Sequence, residues 1–244
     1  MRVLLELCYD GTNYFGWQIQ PKQISVQQIL QEKISQITGN PIELVGCGRT
    51  DTGVHASQYF AHLDIDESSF NKLSIYKINA VLPQDISILN MSTIDDQFHA
   101  RFNAKQRKYI YRIHNNKDPF NRNFSFLYSS INANHLSNLN KVAEIIKRMT
   151  SFESFVKSNS GLENFKCVIS VSRWVAINDQ QFEFHIAADR FVRGMVRLCV
   201  GACLSYATNK ISLNEIDQSI ENKKQIPKSW SVPAHGLTLT EVKY

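Results

Sequence analysis

At 244 residues, with 43% apolar and 20% charged side chains, the chain has the composition of an ordinary globular protein and is long enough to bury a substantial core. Its cysteines, at 8, 47, 167, 199 and 203, are odd in number and form no Cys-x-x-Cys pair, which argues against a disulfide framework and against zinc; no apolar run reaches the length of a membrane span, and the chain opens directly on a strand-like run without a signal peptide, so a reduced, cytoplasmic protein off the membrane is expected. The net charge of +5 is uneven: residues 1–103 carry 7 Lys+Arg against 11 Asp+Glu, whereas residues 104–244 carry 20 against 11, an asymmetry that suits a second half facing a polyanion.

Val3 to Tyr9 alternates as a first strand and stops at the Asp10-Gly11 turn. An aromatic loop, Tyr14, Phe15 and Trp17 around Gly16, reads as core lining. Ser25 and Gln28 form a capping box for a helix with Val26, Ile29, Leu30, Ile34 and Ile37 on its apolar face, ended by Gly39 and Pro41. Strand-like runs at 42–45 and 58–65 flank a glycine-rich loop. A second helix is expected over 69–81, where Pro83 bars its continuation, and a strand over 86–93. The order β-α-β-β-α-β is the ferredoxin-like pattern.

The second half repeats it loosely. A strand over 108–114 leads to a polar loop, then to a helix capped by Asn134 and carrying Leu136, Leu139, Val142, Ile146 and Met149. A hairpin turns at Asn178-Asp179, an apolar helix covers 191–206 with Cys199 and Cys203 on one face as small buried thiols, and Ser212 with Glu215 caps a further helix. A strand over 237–242 closes the chain. The expected fold is α+β: two ferredoxin-like (RRM-like) halves, 1–103 and 104–244, in one extended, mostly antiparallel sheet with helices on one side and a central cleft. The densest basic segment is Lys105, Arg107, Lys108, Arg112, Lys117 and Arg122, with Tyr109 and Tyr111 interleaved, a mixture that suits phosphates and unstacked bases as well as a solvated strand edge.

The stretch that carries chemistry is Gly46-Cys47-Gly48-Arg49-Thr50-Asp51-Thr52-Gly53-Val54-His55-Ala56. Its glycines suit a tight loop open to close approach by another molecule, and it sets one carboxylate, one guanidinium and two hydroxyls between two strands. As residue types alone these fit a turn aspartate. They also fit the Asp-Thr-Gly of an aspartic protease, but no second such triplet exists to share the proton, and Arg49 favours the ionised form.

Residues 48–56 resemble the signature of the TruA family of tRNA pseudouridine synthases, with Thr52 where that family most often has alanine. Other segments resemble further family motifs in the same order: Tyr9 to Gln18, Asn79-Ala80-Val81-Leu82-Pro83, Phe98-His99-Ala100-Arg101-Phe102 running into Arg107-Lys108-Tyr109-Ile110-Tyr111, Phe191 to Arg197, and Pro233-Ala234-His235-Gly236-Leu237. The resemblance implies isomerisation of uridine to pseudouridine at positions 38–40 of the tRNA anticodon stem-loop, by a homodimer, with no cofactor.

It also implies site residues. Asp51 would be the carboxylate at the sugar–base junction, attacking C6 or C1′ of the nucleotide or removing a C2′ proton. Arg197 would balance its charge in a pocket that excludes water, since burial alone disfavours a carboxylate. Arg49 would hold the phosphate of the flipped nucleotide, Tyr109 would stack on the target base, and Leu237 would wall the uracil pocket. His99, Arg101, Lys105, Arg107 and Lys108 are further candidates for RNA contact, and His55 reads as a loop-fixing residue. The competing reading is a non-catalytic RNA-binding module or RNA chaperone of the same fold.

Overall fold

The computed structural model describes residues 1–156 and 163–244. They pack into two compact units, one formed by Met1–Lys105 with Thr238–Tyr244, the other by Gln106–Leu237. The first unit thus takes in the C-terminal strand, which a division of the chain at 103/104 assigns to the other half.

In the first unit β1 (Arg2–Tyr9) alternates as its sequence predicts, with Val3, Leu5, Leu7 and Tyr9 facing the core. It lies between β3 (His55–Asp64) and β4 (Ile86–Ile94), antiparallel to both, in registers that include Leu5↔Ala61 and Val3↔Thr93. The two-residue β2 (Val45–Gly46) adds to β3, giving the strand order β4-β1-β3-β2. α1 (Val26–Thr38) buries Val26, Leu30 and Ile34 completely, each contributing about 1.5–3 kcal/mol of apolar burial. Ser25 Oγ caps α1 by accepting from Gln28 N at 3.3 Å, but the Gln28 side chain donates to Glu32, so only half of the capping box forms.

The helix expected over 69–81 is two helices, α2 (Glu67–Phe70) and α3 (Ile75–Val81). Asp66 Oδ1 accepts from Ser69 N and Ser74 Oγ from Lys77 N, so each short polar side chain starts a new helix where periodicity alone reads one, and Leu73 is buried between them.

In the second unit β5 (Gln106–His114) pairs antiparallel with β8 (Gln181–Ala188), and β8 with β7 (Ile169–Ala176); the short β6 (Phe126–Leu127) runs parallel to β5. α4 (Leu136–Arg148) packs on β7 and is tied to it by a reciprocal pair between the Asn140 amide and the Trp174 backbone, at 2.8 and 3.1 Å. Its cap differs from the expected one: Asn132, not Asn134, accepts from the backbone and opens a 3-10 turn that feeds the helix. α5 starts at Met195 after a turn closed by Met195 N on Val192 O, and runs to Ala207. It is buried nearly all round, and burial pushes the Cys203 thiol up to about 12 and raises that of Cys199 as well. α6 (Leu213–Glu221) keeps the full Ser212–Glu215 capping box. The chain ends in β9 (Leu237–Lys243), which pairs parallel with β3 through His55↔Thr238 and Ala56↔Leu239. Among the described residues no helix is long and apolar enough to cross a membrane.

Candidate active site

Asp51 lies on the loop from Cys47 to Val54, between β2 and β3, and is half-buried; Arg49 is exposed. The loop is fixed along its length. Cys47 N donates to Phe60 O at 2.7 Å, and the Tyr59 hydroxyl donates to Gly48 O at 2.5 Å. Thr50 is held twice, by its hydroxyl against Tyr9 Oη at 2.9 Å and by its carbonyl from Trp17 N at 3.3 Å. Beyond Asp51, Gly53 N donates to Tyr14 O and Val54 N turns back to the Asp51 carbonyl. The backbone on both sides of the carboxylate is therefore fixed by groups outside the motif, the arrangement that precise positioning of a reactive group requires.

These outside groups form an aromatic clamp. Trp17, 1% exposed, stacks on Tyr59 with ring centroids 4.1 Å apart, and Tyr9 leans on Tyr59 at 5.7 Å. Tyr14 is buried with its hydroxyl on Asp85, and burial together with that carboxylate raises its pKa, so it stays a neutral donor. Gly16 packs directly against the motif: a Cβ there would stand 2.3 Å from Thr50 O and 3.1 Å from the Asp51 carbonyl carbon, and its φ of 83° disfavours any other residue. Gly53, at φ 76°, supplies the turn after the carboxylate.

His55, 2% exposed, has the tethering geometry expected of it. Its Nδ1 lies 3.0 Å from Gly11 N and 2.9 Å from Asp10 Oδ1. One ring nitrogen accepts from the first or donates to the second but not both, and either bond ties β3 to the turn after β1. Asn79, from the Asn-Ala-Val-Leu-Pro motif, is structural, exchanging hydrogen bonds with both backbone groups of Ile88 at 2.8 and 2.9 Å.

The first unit also holds His99, Arg101 and Lys105. His99 and Arg101 sit on the corner after β4, next to the exposed ring of Phe102, and Lys105 is exposed with its N–H on Lys243 O. Below this corner His62 is buried. Desolvation first, then the positive charge of Arg2 and of His99, lowers its pKa to about 4, with Asp64 opposing, and its Nδ1 accepts from Ala100 N.

The second unit holds Tyr109, Arg197 and Leu237. Tyr109 faces the core side of β5, opposite Ile186, with its ring edge-on to Phe191 at 5.3 Å and 86°. Arg197 stands in the first turn of α5, half-buried, with Nε donating to Val232 O at 2.6 Å and its own carbonyl accepting from Val232 N. Next to this segment Tyr111 donates to Pro233 O at 2.8 Å; burial raises the Tyr111 pKa and the Arg197 charge opposes the rise. Leu237 follows the Ala234–Gly236 turn and is buried.

The basic segment divides among different tasks. Arg107 and Lys108 alternate on β5, and Arg107 Nη1 donates to Asp189 O. Arg112 is paired with Glu183 at 3.0 Å, and Glu183 also holds His185 at 2.8 Å, so this cation is balanced within the sheet. Lys117 and Arg122 are exposed on the loop after β5. The aromatic clamp and Glu183 were beyond sequence reasoning. A run of tyrosine and tryptophan at 9, 14, 17 and 59 was the available signal, and it did not say which of them meet.

The sequence matches the family described as tRNA pseudouridine synthase over residues 8–103 and 150–244. It is 38% identical over 243 residues to the tRNA pseudouridine synthase A of Azobacteroides pseudotrichonymphae, covering 100% of this chain and 96% of that protein. Similarity to the protein of the same name from Porphyromonas gingivalis is 37% over 246 residues, 100% and 97% of the two chains. A Clostridium tetani protein, tRNA pseudouridine synthase A 1, is 32% identical over 247 residues, covering 100% and 99%.

Proposed function

The chain belongs to the tRNA pseudouridine synthase family and is an isomerase that converts uridine to pseudouridine in tRNA, and from that premise we propose that it acts at positions 38–40 of the anticodon stem-loop with Asp51 as the essential carboxylate. The observation that carries the assignment of Asp51 is the fixing of Thr50 and Gly53 on either side of it by Tyr9, Trp17 and Tyr14. A turn aspartate with no chemical task has no need of a buried aromatic clamp behind it.

In this reading the carboxylate acts at C6, C1′ or C2′ of an extruded uridine. Tyr109 stacks on the base, which the edge contact with Phe191 supports by fixing its ring. Arg197 balances the Asp51 charge, supported by the Nε–Val232 bond that orients its guanidinium. Leu237 walls the uracil, Arg49 takes the phosphate of the flipped nucleotide, and His99, Arg101, Lys105, Arg107 and Lys108 contact RNA. The enzyme works in the cytoplasm as a homodimer. Both halves are read as ferredoxin-like, for which the β-α-β-β-α-β order and the strand order β4-β1-β3-β2 of the first unit are the support.

The test is incubation of the purified protein with an unmodified tRNA transcript, followed by mapping of pseudouridine at single-nucleotide resolution. New pseudouridine confined to positions 38–40 supports the proposal. Tight RNA binding with no product would favour the RNA-binding module instead.

A further inference from the structure

We propose that the corner formed by His99, Arg101 and Phe102 is a stacking site for an unpaired nucleoside of the RNA, using residues other than those of the Asp51 loop; the proposal rests on the reading of the substrate as tRNA. Phe102 is 75% exposed, a large ring left in water. It is not alone there: the His99 ring lies 4.2 Å away at 34°, and Arg101 Cζ stands 5.5 Å from the Phe102 centroid.

The backbone beneath these side chains is firmly built. His99 N donates to Asn103 Oδ1 at 2.6 Å, and Asn103 N returns to His99 O at 3.0 Å. Arg101 N and Phe102 N both donate to His99 Nδ1, at 3.1 and 3.3 Å. Phe98 O accepts from Arg2 Nη1, its ring packs on Tyr244, and Tyr244 Oη donates to Ala100 O at 2.8 Å. None of these hydrogen bonds uses the Phe102 side chain. The ring is carried to the surface by a corner that would hold its shape without it.

Three planar groups in contact, with the Arg101 cation over a Phe102 ring that remains 75% exposed, match a nucleotide: a π-face for the base and a guanidinium for the base or its phosphate. Paired bases keep their faces inside the stack, so the ligand is an unpaired nucleoside.

The probe is a tRNA transcript carrying 2-aminopurine at one unpaired position at a time, used with the full-length protein and with Phe102→Ala, Phe102→Trp and Arg101→Ala. Wild type and Phe102→Trp are expected to quench the fluorophore at one position or a short run of positions. Phe102→Ala is expected to lose that quenching and to bind roughly 5- to 100-fold more weakly, with an unchanged salt slope. Arg101→Ala is expected to reduce the salt slope by about one. Binding by Phe102→Ala equal to wild type, or quenching that does not depend on residue 102, overturns the stacking site. Mapping pseudouridine in the wild-type reactions separates the two claims. Residue-102-dependent binding without product retracts the isomerase reading and leaves the stacking site, and product with residue-102-independent binding does the reverse.

Discussion

The hydroxyl of Tyr9 lies 2.9 Å from Thr50 Oγ1 in a buried contact, joining the end of β1 to the residue immediately before Asp51. Removing that hydroxyl leaves the Thr50 hydroxyl with one partner fewer in a dry site, a loss of about 1 kcal/mol. Tyr9→Phe is therefore expected to remain folded, melt a few degrees lower, and lose catalytic rate more than tRNA affinity. Single-turnover kinetics beside a urea titration checks this; a slower rate with undiminished stability would mean that the bond orients without stabilising.

Asp51→Asn should abolish pseudouridine formation and leave tRNA affinity within a few-fold, because removing a carboxylate also removes its repulsion from phosphate. Tritium released to water from tRNA carrying 5-tritiated uridine, which reports the loss of hydrogen from C5 on isomerisation, and binding measured by filter retention separate the two effects. Measurable turnover by the purified variant removes Asp51 from its role.

Arg197 is expected to fail on substitution in a graded way. Arg197→Met loses both the charge and the Nε–H that meets Val232 O, and turnover should fall by orders of magnitude, with roughly 3–5 kcal/mol at stake where a buried opposite charge is left uncompensated. Arg197→Lys keeps the charge but not the fork, so it should recover only part of the rate. Full activity in the lysine variant would show that charge alone suffices.

Salt dependence should sort the basic residues. If Lys105, Arg107 and Lys108 meet phosphates, tRNA affinity falls log-linearly with salt, and Lys108→Glu makes that dependence shallower. Arg112→Gln should change the slope less than Lys108→Glu, because the Arg112 guanidinium is balanced by Glu183. Fluorescence anisotropy across a salt series decides it, and equal slope changes for the two variants would place Arg112 on phosphate despite its partner.

His62 predicts an acid limb in stability. Its folded pKa of about 4 lies below the ordinary 6.5, so between those values the unfolded chain binds a proton that the folded chain does not. The neutral-pH stability is lost as pH falls from about 6.5 toward 4 and levels off below. His62→Asn, which keeps an acceptor for Ala100 N, should be somewhat less stable at pH 7 and show a shallower decline across that window. Urea midpoints at half-unit pH steps would reveal a decline unchanged in the variant, in which case other groups carry it.

What was legible in the sequence follows from range. The alternation of Val3, Leu5, Leu7 and Tyr9, the Ser25 cap and the Ser212–Glu215 box are set by neighbours within a few residues, and all were readable. The break between α2 and α3 was local too, yet apolar periodicity outweighed the Asp66 and Ser74 caps. Arg112 looked like one more RNA-facing cation because its partner, Glu183, lies on another strand and is 71 residues away. Asp51 itself stood out only through the resemblance carried by its motif, since its residue types suit an ordinary turn equally well. The clamp of Tyr9, Trp17 and Tyr59 needs β3 to bring Tyr59 back against the stretch that holds Tyr9 and Trp17, which no periodicity encodes.

The C-terminal strand gives the molecule an assembly order. β3 receives β9 at His55↔Thr238, immediately after the loop that carries Asp51, and that partner is synthesised only after all of 106–237. As the chain emerges from the ribosome, most of the first unit can collapse early, but the edge of β3 waits through the making and closure of a loop of that length. β3, which anchors the Asp51 loop, is therefore completed only after 106–237 has been made, and a nascent chain carries the whole Asp51 motif before the pairing of His55 and Ala56 with β9 can form.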